Sequence, residues 1–227
     1  MRGTARQNGL VSRAITVAGA RVRVIEHGPP GGEPVLCVHG VGGWAENWRE
    51  TLATLEAAGF RGIAADLPGF GESERVAGAR YFTGDSPLYA SFVPALLDAL
   101  SLPAVHLLGH SLGGAIAYIT AVTAPERIRS LTLVAPGGLG HDVALPLRLA
   151  SLPFAGLLAR LCARDAGRAG LASCFHEVAA IPRQLLEESD RYVPASLAET
   201  TRVLQAGLTL RGVRRDLRTR WMVRADR

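Results

Sequence analysis

Lysine is absent from this chain. All 25 basic residues are arginine, and against 20 acidic side chains they leave a net charge of +5. Such a balance admits a polyanionic partner, but the arginines are scattered among acids without an aromatic-and-basic motif, so nucleic acid is not the expected partner. The exception is the tail GLTLRGVRRDLRTRWMVRADR, where seven arginines fall between Arg211 and Arg227. It keeps a salt-sensitive nucleic-acid contact open as a minor alternative to a basic helix end or disordered terminus. Long apolar runs are also missing. No window approaches the roughly 18 consecutive apolar residues of a membrane span. The opening MRGTARQNGLVSRAITVAGA has arginines but no apolar core or cleavage site, so no secretory signal is expected and cytoplasm is the default compartment. Cysteine is scarce: Cys37, Cys162 and Cys174 form an odd set without metal-like spacing, which implies neither disulfide nor zinc. Cys37 sits in an apolar run and reads as a small buried hydrophobe.

What is present fits a globular protein. Of the 227 residues 48% are hydrophobic, and 26 glycines and 13 prolines supply many connections. A chain of this length suits one domain, or one domain with an inserted subdomain, burying roughly 70–75% of its unfolded surface.

Residues 14–27 hold two short β-type runs around Ala18-Gly19-Ala20, a hairpin signal. PVLCVHG then reads as a buried strand ending in glycines, followed by a helical stripe at Trp44, Trp48, Leu52 and Leu55 that stops at Gly59. RGIAADLPGFG is a strand running into a loop. Tyr89, Phe92, Val93, Leu96, Leu97 and Leu100 recur with helical period and form a wide apolar face. AVHLLGHS is a strand, LGGAIAYITAVTA a helix ended by Pro125, and IRSLTLVAP a further strand. Alternation from residue 35 to 135 predicts an α/β fold with a doubly wound, mostly parallel sheet. Ligands of such sheets bind at the carboxyl ends of the strands. From about Leu145 to Arg215 the pattern becomes helical without strands, with a possible capping box at Ser196 and Glu199. An all-helical insertion there reads as a cap. The expected organisation is a core over 1–140, a helical cap over 141–215 and a remnant leading toward another core strand over 216–227.

GHSLGG fits G-x-S-x-G, with Gly109, Ser111 and Gly113. A serine on a sharp strand-to-helix turn needs small neighbours two residues either side, because bulkier side chains would collide in that strained backbone. The turn lifts the hydroxyl clear of the sheet and places it at a helix N-terminus, where the Leu112 amide can receive a developing oxyanion. An ordinary glycine-rich turn is the bland alternative, and the strand before and helix after argue against it.

Three motifs, HGVGGWAENW (39–48), DLPGFGES (66–73) and GHSLGG (109–114), stand in an order and spacing that resembles the α/β-hydrolase fold family of esterases, lipases and carbon–carbon hydrolases. The resemblance implies that Ser111 is the nucleophile, that Val41 supplies a second oxyanion amide and that 141–215 is a cap. It implies hydrolysis of an ester or related acyl bond of a small-molecule substrate, with no cofactor and no metal. His39 and Asp66 then read as loop anchors in preference to base and acid. In the family, acid and histidine follow the nucleophile, yet only His141 and His176 follow Ser111 here, and neither fits the family motif. Asp226 faintly echoes the family's acid. His110 should point away from the side that Ser111 presents, and His27 is expected to be exposed. A core lacking its last strands, helices and catalytic histidine is the simplest account, and it predicts an uncovered edge strand. The alternative to an active serine hydrolase is an inactive, binding-only relative.

Overall fold

The computed structural model describes residues 5–7, 9–82, 87–157, 163–214 and 217. Asp226 and Cys162 lie outside the described residues. Strands β1 (Ala5–Gln7), β2 (Leu10–Val17) and β3 (Ala20–His27) form an antiparallel meander. The β2–β3 turn closes at Val17 and Ala20 with positive φ at Ala18 and Gly19, the backbone sign that a two-residue hairpin demands. Four more strands, β4 (Pro34–Val38), β5 (Arg61–Ala65), β6 (Val105–His110) and β7 (Ile128–Val134), complete a sheet of order β1-β2-β3-β5-β4-β6-β7. The β5-β4-β6-β7 portion is parallel, as the alternating pattern predicts, while β3 meets β5 antiparallel.

The two faces of the sheet follow from strand alternation. Leu36, Val38, Ile63 and Leu107 point to one side, where they pack with Leu96 and Leu97 of α2 (Leu88–Ala99) and Ile116 of α3 (Leu112–Thr123). Val35, Cys37 and Ala64 point to the other side, against Leu52 of α1 (Arg49–Ala57). Helices on both faces make the sheet doubly wound, and the side chains named are almost wholly withdrawn from water. Each Leu or Ile so buried contributes roughly 1.5–3 kcal/mol of transfer free energy, so this core carries the strand ends as a rigid platform. Among the described residues β7 has a neighbouring strand on one side only, and Leu131 and Val134 are 36% and 45% exposed.

The remaining described elements are α4 (Leu145–Ala150), α5 (Ala163–Ala172) and α6 (Arg183–Gly207), then a short antiparallel pair, β8 (Leu208–Thr209) and β9 (Gly212–Val213). That pair corrects the strand-free reading of this segment; two-residue strands carry no periodicity to detect. The capping box is corrected as well. Ser196 and Glu199 lie inside α6, whose first residue follows Pro182. The Ser196 hydroxyl donates to the Tyr192 carbonyl at 2.9 Å, one helical turn back, and Glu199 is buried, accepting from the Tyr81 hydroxyl at 2.7 Å. A tertiary partner therefore explains the carboxylate that sequence assigns to a helix start. No described helix is long and apolar enough to cross a membrane.

Candidate active site

Ser111 joins β6 to α3 with φ 53° and ψ −114°, a conformation that non-glycine residues rarely hold. Its backbone is pinned on both sides: the amide donates to the Val134 carbonyl at 3.0 Å, and the carbonyl accepts from Gly137 at 2.8 Å. The flanking glycines are sterically required. A Cβ on Gly113 would lie 2.1 Å from the Val38 carbonyl oxygen, and one on Gly109 would lie 2.3 Å from the Gly113 carbonyl oxygen. β6 and α3 can approach this closely only without those side chains. Ser111 occupies the N-cap position of α3, yet its hydroxyl makes no capping bond. A capping serine ordinarily spends its oxygen on the N2 or N3 amide. Here the oxygen is left to the space outside the helix.

That space is a cavity of about 610 Å³, lined mainly by apolar residues such as Val41, Leu112, Phe82, Val203 and Leu204 beside Ser111, with Gln205, Thr209 and Arg214 as polar members. Ser111, Leu112 and Val41 thus line one cavity. No described histidine or carboxylate lines the cavity. The lining residues of α6 and Phe82 escape sequence reasoning, because their apolar pattern is equally that of a core-facing helix.

His39 is buried and both of its ring nitrogens are taken. Nε2 accepts the Leu67 amide at 2.9 Å, so Nδ1 carries the proton and donates to the Gly40 carbonyl at 2.7 Å. Burial holds its pKa down at about 4. It ties the 39–44 loop to the strand end beside it and has no lone pair for Ser111. Asp66, fully buried, accepts amides of Ala45 at 2.7 Å and Glu72 at 2.8 Å and faces the Arg23 guanidinium at 3.5 Å. Burial, outweighing that cation and those amides, pushes its carboxyl up to about 6. Arg23 is in turn paired with Glu46, a part-buried ion pair joining β3 to the residues after the glycine loop. His39 and Asp66 are thus both bonded as loop anchors.

Of the other histidines, His110 ends β6 beside Ser111, its Nδ1 and the Ser111 Cβ lying 3.0 and 3.1 Å from where a Cβ on Gly40 would stand, so it does not turn away from the Gly40 side of the turn. His141 and His176 are exposed, and His106 hydrogen-bonds with the Ser130 hydroxyl at 2.7 Å. His27 corrects an expectation: it ends β3 with its side chain 10% exposed, 3.1 Å from a Glu56 carboxylate oxygen, because α1 covers that strand end.

Comparison with known proteins identifies the family. Residues 33–196 match the family model described as the alpha/beta hydrolase fold. The chain belongs to that family. As an α/β hydrolase it is 36% identical over 186 residues to the dihydrolipoyllysine-residue acetyltransferase component of the acetoin cleaving system of Pseudomonas putida, covering 82% of this chain and 47% of that protein. It is 36% identical over 137 residues to a 2-hydroxymuconate semialdehyde hydrolase of a Pseudomonas species, covering 59% of this chain and 46% of that one. The chain therefore spans about half the length of these relatives. Among solved structures, Cfl2 of Burkholderia cenocepacia shares the fold with a TM-score of 0.74 at 23% identity, over 87% of this chain and 72% of that one.

Proposed function

We propose that this α/β hydrolase belongs to a serine-dependent acyl hydrolase that cleaves an ester or related acyl bond of a small molecule. The observation that carries the reading is the strained, uncapping Ser111 lining a largely apolar cavity. In this reading Ser111 Oγ attacks the acyl carbon, the hydroxyl proton ends on the leaving group, which departs as the acyl-enzyme forms, and water then adds to release the acid and restore the Ser111 hydroxyl. The amides of Leu112, at the start of α3, and of Val41 receive the oxyanion. An apolar lining favours an apolar acyl group. Residues 141–215 act as the cap that supplies part of that lining. Asp226 is proposed as the acid, on the family's pattern alone. Full turnover is proposed for the whole protein, since the chain spans about half of its relatives. No cofactor or metal is needed for these steps.

The test is a fluorophosphonate probe with peptide mapping, beside hydrolysis of a short-chain nitrophenyl ester. Labelling confined to Ser111, abolished in Ser111→Ala, supports the reading. A second reading, a binding-only relative, is favoured by the cavity's lack of any described histidine or carboxylate. Saturable ligand binding with Ser111 unlabelled would establish that second reading instead.

A further inference from the structure

The glycine loop that begins at His39 is anchored at both ends but bare in the middle. Gly40 offers its carbonyl to His39 Nδ1 at 2.7 Å and to the Gly43 amide at 3.1 Å. At the far end the Trp44 amide donates to Asn47 at 2.9 Å and the Ala45 amide to Asp66 at 2.7 Å. Between these anchors no hydrogen bond holds the Val41 or Gly42 amide among the described residues. The far anchor is held from above. Glu188 of α6 accepts the Trp44 indole Nε1–H at 3.0 Å with one carboxylate oxygen and the Arg49 guanidinium at 2.6 Å with the other. Trp44 is 2% exposed, and Tyr192 packs on its indole with ring centroids 5.6 Å apart. Tyr192 is fixed in turn, its hydroxyl donating to Glu72 at 2.9 Å.

We infer that Glu188 is a positioning residue which, through Trp44, makes α6 and the 39–44 glycine loop one mechanical unit and so sets where the Val41 amide stands relative to Ser111. The inference rests, for its chemical consequence, on the proposed nucleophile. An indole N–H on a side chain this buried has little water to replace a lost acceptor, so removing Glu188 favours loop states that carry the indole toward solvent. The bare amides between the anchors move with it. An oxyanion donor acts only if it stands at the place where charge develops, so a displaced loop slows the bond-forming step more than it weakens binding.

Two readouts test this on the full chain. Hydrogen exchange measured by mass spectrometry is expected to rise in peptides spanning 39–48 in Glu188→Ala and to stay unchanged in those spanning 105–123, with Glu188→Gln close to wild type because its carbonyl still accepts from Trp44. Inactivation by a fluorophosphonate is expected to slow by about tenfold in its maximal rate in Glu188→Ala, with less than twofold change in the concentration giving half-maximal rate, and to recover to within about threefold in Glu188→Gln. In a Trp44→Phe background Glu188→Ala should have little further effect, since the route through the indole is already gone. Unchanged exchange over 39–48 overturns the inference whatever the labelling shows. Raised exchange with an unchanged inactivation rate overturns the positioning role and leaves a structural contact. If the wild-type serine is not labelled at all, the nucleophile reading falls while the loop-holding role is still decided by exchange.

Discussion

His39 and Asp66 show how buried ionisable groups with one structural purpose acquire opposite pH dependence. Burial lowers His39 from 6.5 to about 4, so between those values the unfolded chain binds the extra proton and acidification destabilises the fold. Burial raises Asp66 from 3.8 to about 6, so there the folded chain binds the proton first and acidification stabilises it. At about 1.4 kcal/mol per unit each effect reaches about 3 kcal/mol, and the signs oppose. Near-cancellation is expected in the wild type over pH 7 to 4. Asp66→Asn removes the stabilising half, so its urea-unfolding free energy should fall by about 3 kcal/mol more than that of the wild type across that range. Parallel pH courses for the two proteins would refute the assignment. At this scale the anchors themselves were legible: a histidine and an aspartate opening loops at strand ends. Their loss of ordinary titration was not, since it depends on covering residues distant in sequence.

At the scale of elements, local sterics account for what was readable. The β6–Ser111–α3 unit follows from Gly109 and Gly113, whose missing side chains are required by contacts within a few residues and by one neighbouring strand. The β2–β3 hairpin follows from Ala18 and Gly19 in the same way. Glu199 was misread because its partner, the Tyr81 hydroxyl, lies 118 residues away. β7 carries the element's own prediction. Among the described residues its outer edge has no neighbouring strand, and the strand has no lysine or proline to discourage pairing, the feature that promotes edge-to-edge association. Thr132→Lys, at an exposed position, should reduce concentration-dependent light scattering while changing unfolding free energy by no more than about 0.5 kcal/mol. Unchanged scattering would show that association, if any, proceeds elsewhere.

For the whole molecule, α6 is bound to the loops and α1 around the sheet at three levels: Glu188 to Trp44 and Arg49, Tyr192 to Glu72, and Glu199 to Tyr81. Contacts so distributed couple the helical segment to the core, and a single calorimetric transition is expected. Tyr81→Phe leaves the buried Glu199 carboxylate one donor short and should lower stability by about 1–3 kcal/mol, shifting that whole transition. A separate low-temperature transition for the helical segment would contradict the coupling. The sequence by itself determined the parallel sheet, the serine turn and the loops flanking it, because strand alternation, helical period and glycine sterics act between residues close in the chain. Only the tertiary structure decided what α6 covers, which carboxylates are buried and how the Ser111 cavity is lined, because those outcomes depend on which distant side chains share a volume once the layers pack.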